Sequence, residues 1–148
     1  MDTTKQYGLK TGTALGLWVK LARVYETFLH RTAEDIRSYG LTPPQFAVLE
    51  CIGHSGQMRL GDVTRKMLAT GGNTTVVIDN LEKRGLVERI RDKKDRRVIF
   101  VTLTLKGKKL FKDIFPKHTE LIVKLCSVLT HKEQKTLSDL LKKLGTSF

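Results

Sequence analysis

From about residue 13 to 39, Trp18, Leu21, Ala22, Tyr25, Phe28, Leu29 and Ile36 recur at three- and four-residue steps, with Lys20, Arg23, Arg31, Glu34 and Arg37 between them. That period gathers the apolar set on one side of a long amphipathic helix. Gly40 ends it, and Thr42-Pro43-Pro44-Gln45 restarts the chain with a hydroxyl cap, proline in the first turn and Gln at the capping-box position. A second helix carries Phe46, Val48, Leu49 and Ile52 to Gly53 or Gly56, and Leu60, Val63 and Met67 mark a short third. After a break at Gly71-Gly72, a fourth helix starts near Gly72 or Asn73. Thr74, Ile78 and Leu81, with Val77 alongside, form its buried stripe, and Asn73, Thr75, Val76, Asp79, Asn80 and Lys83 face outward.

Beyond Arg84-Gly85 the period changes. Leu86–Arg91 and Val98–Leu103 are β-branched runs that read as strands, joined by a tip of charged residues from Asp92 to Arg97. Thr104 then caps another long helix, with Leu110, Phe111, Ile114, Phe115, His118, Leu121, Ile122 and Leu125 on one side and a kink expected at Pro116. The last helix opens on the capping box Thr130 to Glu133 and carries Leu137, Leu140, Leu141 and Leu144 to Gly145.

A helix pair with a glycine-containing turn, followed by a hairpin with a basic tip, is a winged helix-turn-helix. The predicted fold class is α+β, mainly helical, in a single domain over residues 1–148. Residues 42–104 form the DNA-binding unit, and 13–39 and 105–145 form long N- and C-terminal dimerisation helices. The terminal helices carry more apolar surface than one small winged unit covers, and pairing them across a two-fold axis in a homodimer would bury it.

Charge narrows the partner. The chain is +12 overall, and residues 51–112 hold 15 of its 27 basic side chains but only 6 of its 15 acids. An excess confined to the helix-turn-helix segment points to a polyanion, here double-stranded DNA. Asn73, Thr75, Val76 and Asn80 are the candidate base readers: Asn pairs with adenine, and a Val methyl packs on a thymine methyl. Gly72, Thr74 and Lys83 complete that helix's contribution. Arg89, Lys94, Asp95, Arg96 and Arg97 are the wing candidates, from a stretch with six basic and two acidic residues between Arg89 and Arg97. The plainer readings are a solvated helix face and a solvated loop, and their adjacency argues against both.

Asn80-Leu-Glu-Lys-Arg-Gly-Leu-Val87, Asp92-Lys-Lys-Asp-Arg-Arg97 and Leu103-Thr-Leu-Lys-Gly107 match in order and spacing the multiple antibiotic resistance regulator (MarR) family, and helix order extends the resemblance over nearly the whole chain. The resemblance implies a dimeric bacterial transcription regulator, usually a repressor, on a palindromic operator, released by a small molecule or by cysteine oxidation. It also implies that Arg96 and Arg97 act at the wing, one in the minor groove or on phosphate, with Asp95 orienting its neighbour and Lys94 as a phosphate contact. Where the family usually has Ser or Arg, this chain has Gly71-Gly72-Asn73, so an operator sequence does not carry over.

Trp18, Tyr25, His30, Tyr39, His54, Phe111 and Phe115 are candidates to line a pocket for a small aromatic or phenolic effector where the terminal helices meet the DNA unit. Aromatics at helical spacing are more ordinarily core or dimer interface. Cys51 and Cys126 fall in apolar helical contexts that read as buried, reduced thiols, so ligand release is favoured over oxidation sensing. Cys51 and His54 supply two ligands of a metal site without a predictable third, and neither metal nor cofactor is expected. No nucleophile–base pair or phosphate-binding glycine loop points to an enzyme. No apolar run approaches the roughly 18 residues of a membrane span and no signal core leads the chain, so a cytoplasmic protein is expected. A constitutive architectural DNA binder remains as an alternative; an RNA binder is disfavoured by the lack of an exposed aromatic stacking platform.

Overall fold

The computed structural model describes residues 7–67 and 73–146. The order of elements is α1 (Leu9–Ser38), α2 (Pro43–Ser55), β1 (Met58–Arg59), α3 (Leu60–Met67), α4 (Thr74–Lys83), β2 (Val87–Arg91), β3 (Ile99–Leu103), α5 (Leu105–Cys126) and α6 (His131–Gly145). The helix order is the one the apolar period predicts. The glycine turn before α4, Gly72 included, lies outside the described residues.

Two details differ from the sequence expectation. Met58 and Arg59 form a third strand, paired antiparallel with Val101 and Phe100, so the sheet runs β1-β3-β2. Two residues are too few for an alternating pattern to be legible. Leu86 is not a strand residue: Gly85 turns left-handed at φ +68, Leu86 N–H returns to Leu81 O at 2.9 Å, and Gly85 N–H bonds Glu82 O at 2.8 Å, closing α4 in a Schellman turn. Helix α5 continues through Pro116 as one element of 22 residues. Both anticipated capping boxes form, Thr42 with Gln45 and Thr130 with Glu133.

The core lies within the winged unit. Val48, Leu49 and Ile52 of α2, Val63 of α3, Ile78 and Leu81 of α4, Val101 of β3 and Ile114 of α5 are all buried. Only Ala33 and Ile36 of α1 join them, and α6 buries no residue. His118 sits beside this core, its Nδ1 2.8 Å from Asp35 Oδ2 and its ring 4.6 Å from that of Phe46, while the Tyr39 hydroxyl donates to Asp35 Oδ1 at 2.8 Å. That polar chain ties α1 to α5. Burial, then the hydrogen bond and charge of Asp35, push the Tyr39 hydroxyl up to about 12, so it remains a donor through the physiological range. No helix among the described residues is long and apolar enough to cross a membrane.

The sheet, α4 and α5 meet at one tight crossing. Thr104 Oγ1 donates to Gly85 O at 2.6 Å and accepts from Gly107 N–H at 3.1 Å, while Thr104 N–H bonds Leu86 O at 3.1 Å. A Cβ on Gly107 would stand 2.0 Å from Leu86 O, a backbone atom that cannot swing away. Replacing Gly107 with Ala should therefore destabilise the chain, where the same change in an open helix would stabilise it. We expect a loss of roughly 2 to 3 kcal/mol in urea unfolding. A neutral or stabilising Gly107→Ala would show that α5 slides off this crossing without cost.

Candidate nucleic-acid interface

The predicted reading helix is built from its cap outward. Asn73 is the N-cap of α4, its Oδ1 accepting from Val76 N–H at 3.4 Å, which fixes where the helix begins. Thr75, Val76, Asn80 and Lys83 are exposed on one flank. Thr74 is withdrawn from that flank: it is 5% exposed and faces the core, so its side chain has no route to a groove. Asn73 keeps its amide nitrogen for a partner, but its oxygen is engaged by the helix it starts.

The wing is organised by its acids. Asp92 Oδ1 accepts from Lys94 N–H at 2.7 Å and Asp95 N–H at 2.9 Å, and Asp92 N–H returns to Val98 O at 2.9 Å. Asp95 grips Arg97 with both oxygens, at 3.0 Å to Nε and 3.1 Å to Nη2, and takes Arg97 N–H at 3.1 Å. The backbone donors of Asp95 and Lys94 hold the Asp92 carboxyl below its ordinary range, and Arg97 does the same for Asp95. Arg97 is thus aimed rather than loose, with its side chain 91% exposed. Arg96, Lys93 and Lys94 are exposed around it.

Arg89 departs from the sequence reading. Its guanidinium is half-buried between two carboxylates of α4, 2.6 Å from Asp79 Oδ1 and also on Glu82, and its N–H donates to Glu82 Oε1 at 3.2 Å. Charge placed there braces wing to helix instead of facing phosphate. Two cations that sequence reasoning missed stand closer to the interface. Arg59 and Arg65 line, with Thr75 and Arg97, a groove of about 480 Å3 between α3, the start of α4 and the wing. Arg59 is placed there by β1, the strand whose brevity hid it; Arg65 is oriented by Asp62, three residues earlier.

The seven effector candidates do not converge. Trp18 and Tyr25 lie exposed on α1, and His30 pairs with Glu34 at 3.1 Å. His54, Phe111 and Phe115 cluster between α2 and α5, with ring centroids 4.6 to 5.3 Å apart, and Gly53 makes room for the Phe111 ring. Tyr39 belongs to a separate cleft at the end of α1. Cys51 and Cys126 are half-buried rather than enclosed, and the Cys51 thiol points at Met58 Sδ, 3.5 Å away.

Comparison with known proteins agrees with this geometry. The MarR family pattern matches residues 41–99, the span from the start of α2 into β3. The HTH-type transcriptional regulator MhqR of Bacillus subtilis is 37% identical over 135 residues, 91% of this chain and 93% of its own length. Mutant MarR from E. coli, complexed with operator DNA, superposes with a TM-score of 0.77 at 26% identity, covering 89% of this chain and 95% of its own. A MepR-like protein complexed with pseudoligands superposes at 0.64 with 34% identity, covering 88% and 92%.

Arg89→Ala should lower the stability of the chain by about 1 kcal/mol in urea unfolding, because its partners are partly solvated and discount the ion pairs. Arg96→Ala should leave the midpoint in place. A double cycle with Asp79→Ala showing no coupling to Arg89 would remove the brace from this account.

Proposed function

The chain is a member of the MarR family, a DNA-binding transcriptional regulator and not an enzyme, and from that premise we propose that it works as a homodimeric repressor. Each protomer lays α4 in a major groove of one operator half-site and sets its wing against the flanking backbone or minor groove, and a small molecule releases it. The observation that carries this reading is the flank where exposed Thr75, Val76 and Asn80 stand beside a wing whose Arg97 is aimed by Asp95. Short polar side chains on a helix supply base contacts, and an ordered cationic hairpin supplies phosphate contacts. A brace of Arg89 onto Asp79 and Glu82 keeps the two at one fixed separation. Arg59 and Arg65 join the phosphate set, and Asn73 contributes through its amide nitrogen while it caps the helix.

Two protomers are needed for the palindrome and for the apolar surface. Trp18, Val24, Tyr25 and Leu29 of α1 and Leu137, Leu140, Leu141 and Leu144 of α6 are exposed in the single chain, an apolar surface that pairing would bury. Occupying an operator excludes polymerase from the same duplex, which makes repression the simplest sense of regulation. Release by a ligand requires only that it favour one spacing of the two α4 helices over another. The MepR-like relative, solved with pseudoligands, supports small-molecule control.

Thr75→Ala should cost roughly 1 to 3 kcal/mol at the matched operator and blur one position per half-site, whereas Arg96→Ala should weaken all duplexes similarly and flatten the salt slope by about one. Selection from a randomised duplex pool, repeated with each variant, reads both effects. An unchanged operator preference for Thr75→Ala would sink the base-reading assignment.

Sedimentation of the full chain should give a dimer at micromolar concentration, and removal of α6 from Thr130 onward should give a monomer that has lost tight operator binding. A monomeric full chain that still binds a palindrome tightly would overturn the dimeric reading.

A further inference from the structure

The groove between α3, the start of α4 and the wing contains a charge of the wrong sign for a DNA contact. Arg59, Arg65 and Arg97 line it beside Thr75, and Asp62 is the one acid among the described residues that do so. If α4 enters a major groove and the wing meets the neighbouring minor groove, the strand that separates those grooves passes between the two elements. Asp62 therefore stands where it repels the phosphates that the three arginines attract.

Folding stability does not account for it. Asp62 and Arg65, one turn apart on α3, form an ion pair whose side chains are 43% and 76% exposed. A pair so open to water contributes little to the folded state. An acid in the first turn of α3 also suits the positive end of the helix, but that role is independent of Arg65.

What the pair does is fix a cation in place. A free arginine sweeps over many rotamers and can reach phosphates on any duplex that touches this face, whereas a held one offers its charge at a single point of the groove wall. The other two arginines also have acids beside them. Asp95 grips Arg97 at 3.0 and 3.1 Å, and Arg59 lies near enough to Asp92 to add to the lowering of that carboxyl by the backbone donors of Asp95 and Lys94. We propose that Asp62 is a specificity-determining residue: by holding Arg65 at one point, it reserves that charge for a phosphodiester delivered in register by α4 and withholds it from duplexes bound out of register. The proposal deepens the regulator reading above and rests on it.

The effect on matched and random duplexes differs in sign. A random duplex presents its phosphates at no fixed place, so it gains Arg65 only by breaking the ion pair, and it meets the Asp62 charge as well. Both terms weaken it. In the matched complex the strand is set down by the reading helix and the wing, next to a guanidinium already ordered. Asp62 engages Arg65 through Nη2, and the remaining N–H groups stay available to phosphate. There the saving in side-chain ordering offsets the repulsion. The acid thus widens the gap between the two affinities, which is what discrimination requires.

Fluorescence anisotropy at one salt concentration, with the full chain, tests this on two probes: the duplex that the parent selects from a randomised pool and a scrambled duplex of the same length. Asp62→Asn, which keeps the shape but not the charge, should strengthen the scrambled duplex by about threefold to tenfold, and the ratio of the two affinities should fall by about threefold or more. Asp62→Glu, which can still pair one turn along the helix, should keep most of the parent ratio. In an Arg65→Ala background the same Asp62→Asn change should shift both duplexes by a similar factor, because no cation is left to hold. An equal rise at both duplexes in Asp62→Asn overturns the proposal and makes Asp62 a general brake on affinity. An equal fall at both overturns it too, since that is the signature of a damaged helix. So does a fall in the ratio that is just as large without Arg65. Failure of the regulator reading looks different: the parent itself would return no preferred duplex from the pool, whereas each of these three results leaves the parent's preference intact.

Discussion

The crossing of α5 over the carbonyl of Leu86 is the constraint on which the rest of the molecule depends. A helix end leaves carbonyls without partners, and at the end of α4 they are taken by the segment that begins α5: Gly85 O by the Thr104 hydroxyl, Leu86 O by Thr104 N–H, and Arg84 O by Lys106 Nζ. So close an approach is possible only because residue 107 has no side chain. The end of α4 and the start of α5 are thereby locked together.

A second economy lies in how the basic segment is ordered. Long cationic side chains on a free hairpin would lose considerable conformational freedom on meeting a polyanion. Here carboxylates do the ordering before any partner arrives: Asp79 and Glu82 immobilise Arg89, Asp92 shapes the tip through two backbone donors, and Asp95 aims Arg97. Because the Asp92 and Asp95 carboxyls are held below their ordinary range, these contacts persist down through that range and are lost only in acid, as pH falls through the lowered values. The net charge that attracts DNA is thus shaped by the few acids embedded in it.

Elements with a strong local signal were legible in the chain. The amphipathic period of α1, the capping boxes at Thr42 and Thr130 and the paired β-branched runs each rest on interactions within a few residues, and each reappears in space. The exposed flank of Thr75, Val76 and Asn80 followed from the same reasoning, since helical spacing alone separates a buried stripe from an outward one. Arg89 was grouped with the wing candidates because the charge of the stretch from Arg89 to Arg97 is legible in the chain, whereas the two carboxylates of α4 that meet it are not.

By itself, the sequence determined the order and type of the helices, the winged unit, the concentration of positive charge upon it and the family to which it belongs. Only the tertiary structure decided which cations face outward, that Met58 and Arg59 add a strand, that His118 meets Asp35 across 83 positions of chain, and that seven aromatic and histidine candidates fall into separate places. The reason is physical: periodicity and capping are set by neighbours within one or two turns of backbone, whereas ion pairing, burial and cleft formation are set by groups brought together by packing, about which the local pattern carries no information.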